Sequence, residues 1–337
     1  MSQKYASEQP AGFNNHIQKV AIVGAGGNIG KHFAEELIKT GKHTVTALTR
    51  VDSKNTLPKG VKIAQVNYDD EKSLVSALSG QQFLVITLGV FAPPDTQLKI
   101  VKAAGKAGVP YIMPNVFGYD ITNEKLSEEY LYANDIKICD DIQSVGVSSY
   151  VAMCCGFWYE WSLALGRDTF GFDFKDKKVT LFDDGETAVN VSTWGNCGRA
   201  LAGLLSLKEI PHDAQDASPT VSQWKNKPLY ISSFRVSQRD MLDSVNRVQG
   251  TTDRDWEIVS EPSIERYQRG IEDMKKGDQT GFSRGMYTRV FFQNGDSDFE
   301  SSKGLQNALI GLPDDSLDKA TKRALKMMGE SGWNPYA

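Results

Sequence analysis

The chain has 337 residues, enough for one large or two modest domains with a real core. Its 38 basic and 42 acidic residues are interspersed and leave a net charge of -4, which excludes a basic stripe for nucleic acid and a long like-charge tail. Four cysteines (Cys139, Cys154, Cys155, Cys197) and four isolated histidines (His16, His32, His43, His212) show no metal-ligand spacing. Buried, reduced thiols are the reading they invite, in a reducing, cytoplasmic compartment.

Residues 1–16 are polar and lack the apolar centre of a secretory signal, so a flexible tail is expected there. No apolar run reaches the roughly 18 residues of a membrane span. Residues 19–30, KVAIVGAGGNIG, are the first organised element. Four apolar residues, Val20 to Val23, run into glycines at 24, 26, 27 and 30, and an amphipathic helix pattern follows. That is the strand, turn and helix of a dinucleotide-binding unit. Gly24 permits the tight turn, Gly26 or Gly27 lets the backbone approach a pyrophosphate, and Gly30 lets the helix pack on the strand. The helix N-terminus, with Asn28 and Ile29 leading into it, then faces the anion.

Ile29 to Thr40 reads as a helix stopped by Gly41, and residues 43–49 as a second strand ending at Arg50. Arg50 stands 20 residues beyond Gly30, where a carboxylate would bond a ribose 2′-OH and an arginine accommodates a 2′-phosphate. Arg50 therefore selects NADP(H), with Lys54 as a second positive charge. A third strand is expected at 61–66, a helix at 71–79 and a buried parallel strand at 83–88. A helix from Asp95 to Ala107 and a strand at 111–114 follow. Asn115 to Gly118 belongs at the carboxyl end of that strand. A long helix is expected over 123–145 and a sixth strand over 149–153.

This alternation specifies an α/β fold, a Rossmann doubly wound parallel sheet, with ligands at the carboxyl ends of the strands. The cadence changes at Gly156. The aromatic cluster Phe157 to Trp161, short strands at 179–182, 188–191 and 228–232, and helices ending at Leu205, Val248, Met274 and Met328 suggest a smaller α+β region. Residues 208–227 read as a surface loop. The division expected is a tail at 1–16, an NADP(H)-binding domain at 17–155 and a substrate-binding region at 156–337.

The glycine motif, Arg50, Gln97, residues 108–118 (GVPYIMPNVFG) and residues 146–151 (GVSSYV) resemble the NmrA-like and isoflavone reductase-like group, atypical short-chain dehydrogenase/reductases. The similarity spans roughly residues 17 to 155. It implies an NADPH-dependent reductase acting on a small apolar or aromatic metabolite, or a regulator that binds NADP(H) without chemistry. It places Phe117 by the nicotinamide and Gln97 toward the cofactor channel. The family's catalytic lysine would fall, counting back from Gly146, on Asp135. The nearest lysine is Lys137, on a different face of an ideal helix. Lys137 and Tyr132 are the proton-donor candidates, with Tyr119 and Tyr159 also near the crevice.

Overall fold

The computed structural model describes residues 4–89, 92–129 and 133–330, the side chains of 133–135 excepted. The first half alternates as the sequence predicts. It comprises β1 (Lys19–Val23), α1 (Gly30–Lys39), β2 (Thr44–Arg50), β3 (Lys62–Val66), α2 (Glu71–Leu78), β4 (Phe83–Ile86), α3 (Thr96–Lys106) and β5 (Tyr111–Met113). Then come α4 (Glu124–Ser127), α5 (Ala133–Ser144) and β6 (Ser149–Cys154). The single helix expected over 123–145 is thus two. Asn123 caps the first through the amides of Lys125 and Leu126.

The second half contains β7 (Phe157–Trp158), α6 (Tyr159–Leu165), β8 (Phe172–Asp173), β9 (Lys178–Phe182), β10 (Val189–Ser192) and α7 (Trp194–Leu205). It continues with β11 (Lys227–Tyr230), β12 (Phe234–Val236), α8 (Gln238–Gln249) and β13 (Glu257–Glu261). Last are α9 (Ser263–Lys275), α10 (Gln279–Val290), α11 (Phe299–Lys303) and α12 (Leu317–Met328). Seven strands form one parallel sheet in the order β11-β6-β5-β4-β1-β2-β3. Two small sheets, β12-β10-β7 and β13-β9-β8, belong to the second half.

The apolar run in β1 is explained by burial on both faces. Val20 and Ile22 join Phe33, Leu37 and Leu201 in one core layer. Ala21 and Val23 join Leu84, Ile100 and Ile142 in the other. A third core, around Phe170, Phe182, Met241 and Phe291, lies wholly in the second half.

The chain recrosses the boundary expected at 155. β11 extends the parallel sheet beyond β6, and its Pro228 is tolerated because an edge strand leaves one row of N–H groups unused. α7 returns beside α1, so closely that a Cβ on Gly198 would lie 2.6 Å from the His32 carbonyl oxygen. Within the expected surface loop, Val221 and Trp224 are buried in the same layer. The tail expected over 1–16 is held from residue 6 onward. Ala6 N–H donates to the Pro211 carbonyl at 2.9 Å, and the Asn15 carboxamide bonds the Ile210 backbone in both directions at 2.7 and 2.9 Å.

Among the described residues, no helix is long and apolar enough to cross a membrane, and no cluster of His, Cys, Asp or Glu is placed to hold a metal ion.

Candidate functional site

A cleft of about 1050 Å³ runs along the carboxyl ends of β1 to β6. The glycine turn forms its floor at one end. Gly24 has φ +78°, and a Cβ there would lie 2.0 Å from the Thr87 carbonyl oxygen. Thr87 seals this contact by donating its Oγ1 hydrogen to the Val23 carbonyl at 2.8 Å. A Cβ on Gly30 would meet the Gly24 carbonyl oxygen at 2.1 Å, so Gly30 packs α1 under the turn and does not itself line the cleft. A Cβ on Gly26 would come within 2.8 Å of Asn55 Cβ, so the loop after β2 needs that glycine. Gly26, Gly27, Asn28 and Ile29 line the cleft, and no side chain caps the first turn of α1. Unclaimed N–H groups at a helix N-terminus, with the helix dipole behind them, suit a pyrophosphate.

Arg50 lines the same end, well exposed, with Nε 3.4 Å from Asp52. An exposed pair of that length is weak and yields to a phosphate. Ser53 and Asn55 line the cleft, but Lys54 between them does not. Across from Arg50, burial pushes the Tyr68 phenol up while Arg50 pulls the other way. Lys99 bridges Asp69 at 2.6 Å and Asp95 at 2.7 Å.

Gln97 sits one layer back from its expected place. Its Oε1 accepts from the Asn115 N–H at 2.6 Å, and Gln97 is not part of the cleft lining. Asn115 in turn clamps Leu88, accepting from its N–H at 3.0 Å and donating to its carbonyl at 3.2 Å. Gln97 therefore fixes how β4 and β5 end, and through them the wall of the cleft.

The other end is apolar. Phe117 packs against Phe33 and Trp158 with ring centroids 5.7 and 6.2 Å apart. Phe157, Trp158 and Trp161 continue this wall, and α10 brings Phe282, Met286 and Val290 to the cleft. A backbone ledge joins the strand ends. Gly156 N–H donates to the Gly118 carbonyl at 2.9 Å, and Asn190 N–H donates to the Ser297 carbonyl at 3.2 Å. Gly156 has φ +63°, and a Cβ on it would lie 1.8 Å from the Asn190 carbonyl oxygen.

The proton-donor candidates separate here. Lys137 is exposed on α5 and is not among the lining residues. Tyr132 lies outside the described residues. Tyr159 is fully buried in the C-terminal core, its hydroxyl 2.8 Å from Thr321 Oγ1, and burial pushes its phenol far up. Tyr119 lines the apolar end and is only 8% exposed. Among the described residues lining that end, it carries the titratable group. Sequence reasoning missed Asn190, Ser297 and all of α10, which lie far along the chain and carry no motif.

Sheet order, glycine turn and strand-end cleft together define a Rossmann-type dinucleotide-binding protein. The model of the NmrA-like family matches residues 16–162. The chain is 27% identical over 317 residues to the oxidoreductase aprR of Aspergillus flavus, covering 91% of this chain and 99% of that protein. It is 23% identical over 261 residues to an isoflavone reductase of Pisum sativum, covering 67% and 81%. The solved structure of AtPrR2 with NADP+ and (+)pinoresinol matches it with a TM-score of 0.71 at 17% identity, covering 92% and 99%. Residues 16–162 thus match the NmrA-like family model, and the chain is similar over a longer span to a fungal oxidoreductase and to isoflavone reductases.

Proposed function

We propose that the protein is an NADPH-dependent reductase of a small, largely apolar or aromatic metabolite, working in a natural-product pathway of the cytoplasm. One observation carries the reading. A single cleft joins the glycine turn and Arg50 to a compartment walled by Phe117, Phe157, Trp158 and Trp161. NADPH, when bound, supplies the hydride. The turn and the N-terminus of α1 hold its pyrophosphate, Arg50 its 2′-phosphate, and Asn115 and Phe117 flank the nicotinamide. Asn115 is well suited to this because Gln97 and Leu88 fix both its backbone and its side chain. The aromatic wall and the α10 residues exclude water. Tyr119 supplies the proton, the role the sequence assigned to Lys137 or Tyr132.

Titration with NADPH and NADH, followed by NADPH consumption against a panel of quinones and enones, tests this. Strong preference for NADPH with turnover supports it, and equal affinity for the two cofactors overturns the assignment to Arg50. Asp135 at the position of the family's lysine favours a second reading, an NADP(H)-sensing regulator. That reading expects tight NADPH binding with no consumption on any substrate.

A further inference from the structure

One carboxylate behind the apolar end of the cleft is buried without a cation. Asp120 follows Tyr119 directly and is only 3% exposed. Its Oδ1 accepts from the Thr122 N–H at 2.9 Å, the Thr122 hydroxyl at 2.8 Å and the Tyr230 hydroxyl at 2.7 Å. Among the described residues, every hydrogen-bond donor to it is neutral and no lysine, arginine or histidine pairs with it. Hydrogen bonds to the charged form keep a carboxylate ionised, and a buried charge ordinarily has an opposite charge close by. The acids beside it keep their protons. Burial, with the Asp120 charge adding to it, pushes the Tyr230 phenol and the Cys154 thiol far up.

The carboxylate is held at a fixed depth behind the wall. Tyr119 lines the cleft, as do Phe117 and Gly118 before it. The Tyr230 ring packs on Phe299, another lining residue, with centroids 5.7 Å apart. Tyr230 is itself anchored by Gln306, whose Oε1 accepts from the Tyr230 N–H at 2.6 Å and whose N–H donates to the Tyr230 carbonyl at 2.9 Å. One layer of side chains, Tyr119 and Phe299, therefore stands between a fixed negative charge and the cleft.

The nicotinamide ring is neutral in NADPH and positively charged in NADP+. In the reading above it lies beside Phe117, three residues before Asp120. Across one buried layer a charge acts at an effective dielectric of about 20, well below that of water. We propose that Asp120 is an electrostatic determinant of redox direction, favouring the cationic oxidised ring over the neutral reduced one. A negative charge placed where positive charge develops assists hydride donation, so the site is built to reduce its substrate. This rests on the reductase reading above and adds the direction of the reaction. Asp120 touches neither cofactor nor substrate and acts through its field alone.

The experiment measures calorimetric affinities of the full-length protein for NADP+ and NADPH in the wild type, Asp120→Asn and Asp120→Glu. Asp120→Asn keeps an oxygen for the three donors and removes the charge. It should weaken NADP+ binding by about 5- to 20-fold and leave NADPH within about twofold. Asp120→Glu keeps the charge and should retain most of the wild-type ratio of the two affinities. A role confined to holding the turn after Tyr119 would change both affinities together. An unchanged ratio in Asp120→Asn, or equal losses for the two cofactors, overturns the proposal. The wild type gives a second test should Asp120→Asn fail to fold. Salt weakens both cofactors through their phosphates, but their ratio should stay constant, because ions do not reach a charge buried behind the wall. A ratio that drifts with salt assigns the discrimination to surface charges and overturns the proposal. Binding of neither cofactor sinks the reductase reading, whereas binding of both with an unchanged ratio in Asp120→Asn sinks only the role of Asp120.

Discussion

Gly156 and Asn190 approach so closely that a Cβ on the first would stand 1.8 Å from the carbonyl oxygen of the second. This contact lets the chain leave the parallel sheet at β6 and lie directly against β10, so that the second half of the molecule closes one side of the cleft. The glycine is further required by φ +63°.

Gly156→Ala is therefore expected to destabilise the fold by more than about 2 kcal/mol, combining backbone strain with an overlap that the carbonyl cannot rotate away from. Gly146 is the control. It has φ +76° with nothing within 4 Å of a Cβ, so Gly146→Ala should cost only about 1 kcal/mol, the strain alone. Urea unfolding midpoints of the two variants separate the contributions, and equal losses would show that the contact with Asn190 is relieved cheaply.

Arg50→Ala should weaken NADPH binding by about 10- to 100-fold, the worth of a charge-assisted phosphate contact, and leave NADH affinity within about twofold. The difference should narrow as salt is raised, because Arg50 is exposed. Calorimetric titration at two salt concentrations checks both statements. An equal loss for the two cofactors would mean that Arg50 supports the cleft wall and does not read the 2′-phosphate.

Tyr119→Phe should lower kcat by about 100-fold or more while leaving NADPH affinity intact, as expected for loss of a general acid. Lys137→Ala should leave kcat within about twofold, since an exposed group on the far side of α5 contributes no proton. The opposite pattern would require α5 to move Lys137 into the cleft during turnover.

His32, on α1, stacks on Trp194 with ring centroids 5.9 Å apart. Burial, with Lys31 beside it, lowers its pKa to about 4. The unfolded chain, with an ordinary histidine, binds a proton more readily over the interval between about 4 and 6.5. Stability therefore falls as pH drops through that interval and is fully present above it. The imidazole is partly exposed, so the loss is expected to be only about 1–2 kcal/mol after screening. His32→Gln should flatten the melting temperature between pH 6.5 and 4.5, and an unchanged slope would assign the acid sensitivity to other groups.

The first half of the fold was legible because its signals are local. The run Val20 to Val23 ends in a glycine that must take φ +78°, and the following helix repeats its apolar face every turn. Asp70 accepts from the Lys72 N–H to start α2, Thr193 accepts from the Asn196 N–H to start α7, and Gly250 ends α8 in the left-handed conformation. Caps and turns are decided within a few residues, so the amino-acid order reveals them.

The rest depends on partners far along the chain. β11 carries no mark that it will extend the sheet beside β6, and nothing local announces that α7 returns to α1. α10 has the weak pattern QTGFSRGMYTRV, yet it becomes a cleft wall because glycines at 270, 281 and 285 let it sit against α9 backbone to backbone. The amino-acid order determined the dinucleotide turn, the strand-helix alternation and the arginine at the end of β2. The tertiary structure alone decided what closes over the apolar end of the cleft, bringing Asn190, Ser297 and the α10 residues Phe282, Met286 and Val290 to its wall. The physical reason is that periodicity records which face of an element must be buried, whereas the partner that buries it is chosen by the packing of the whole chain.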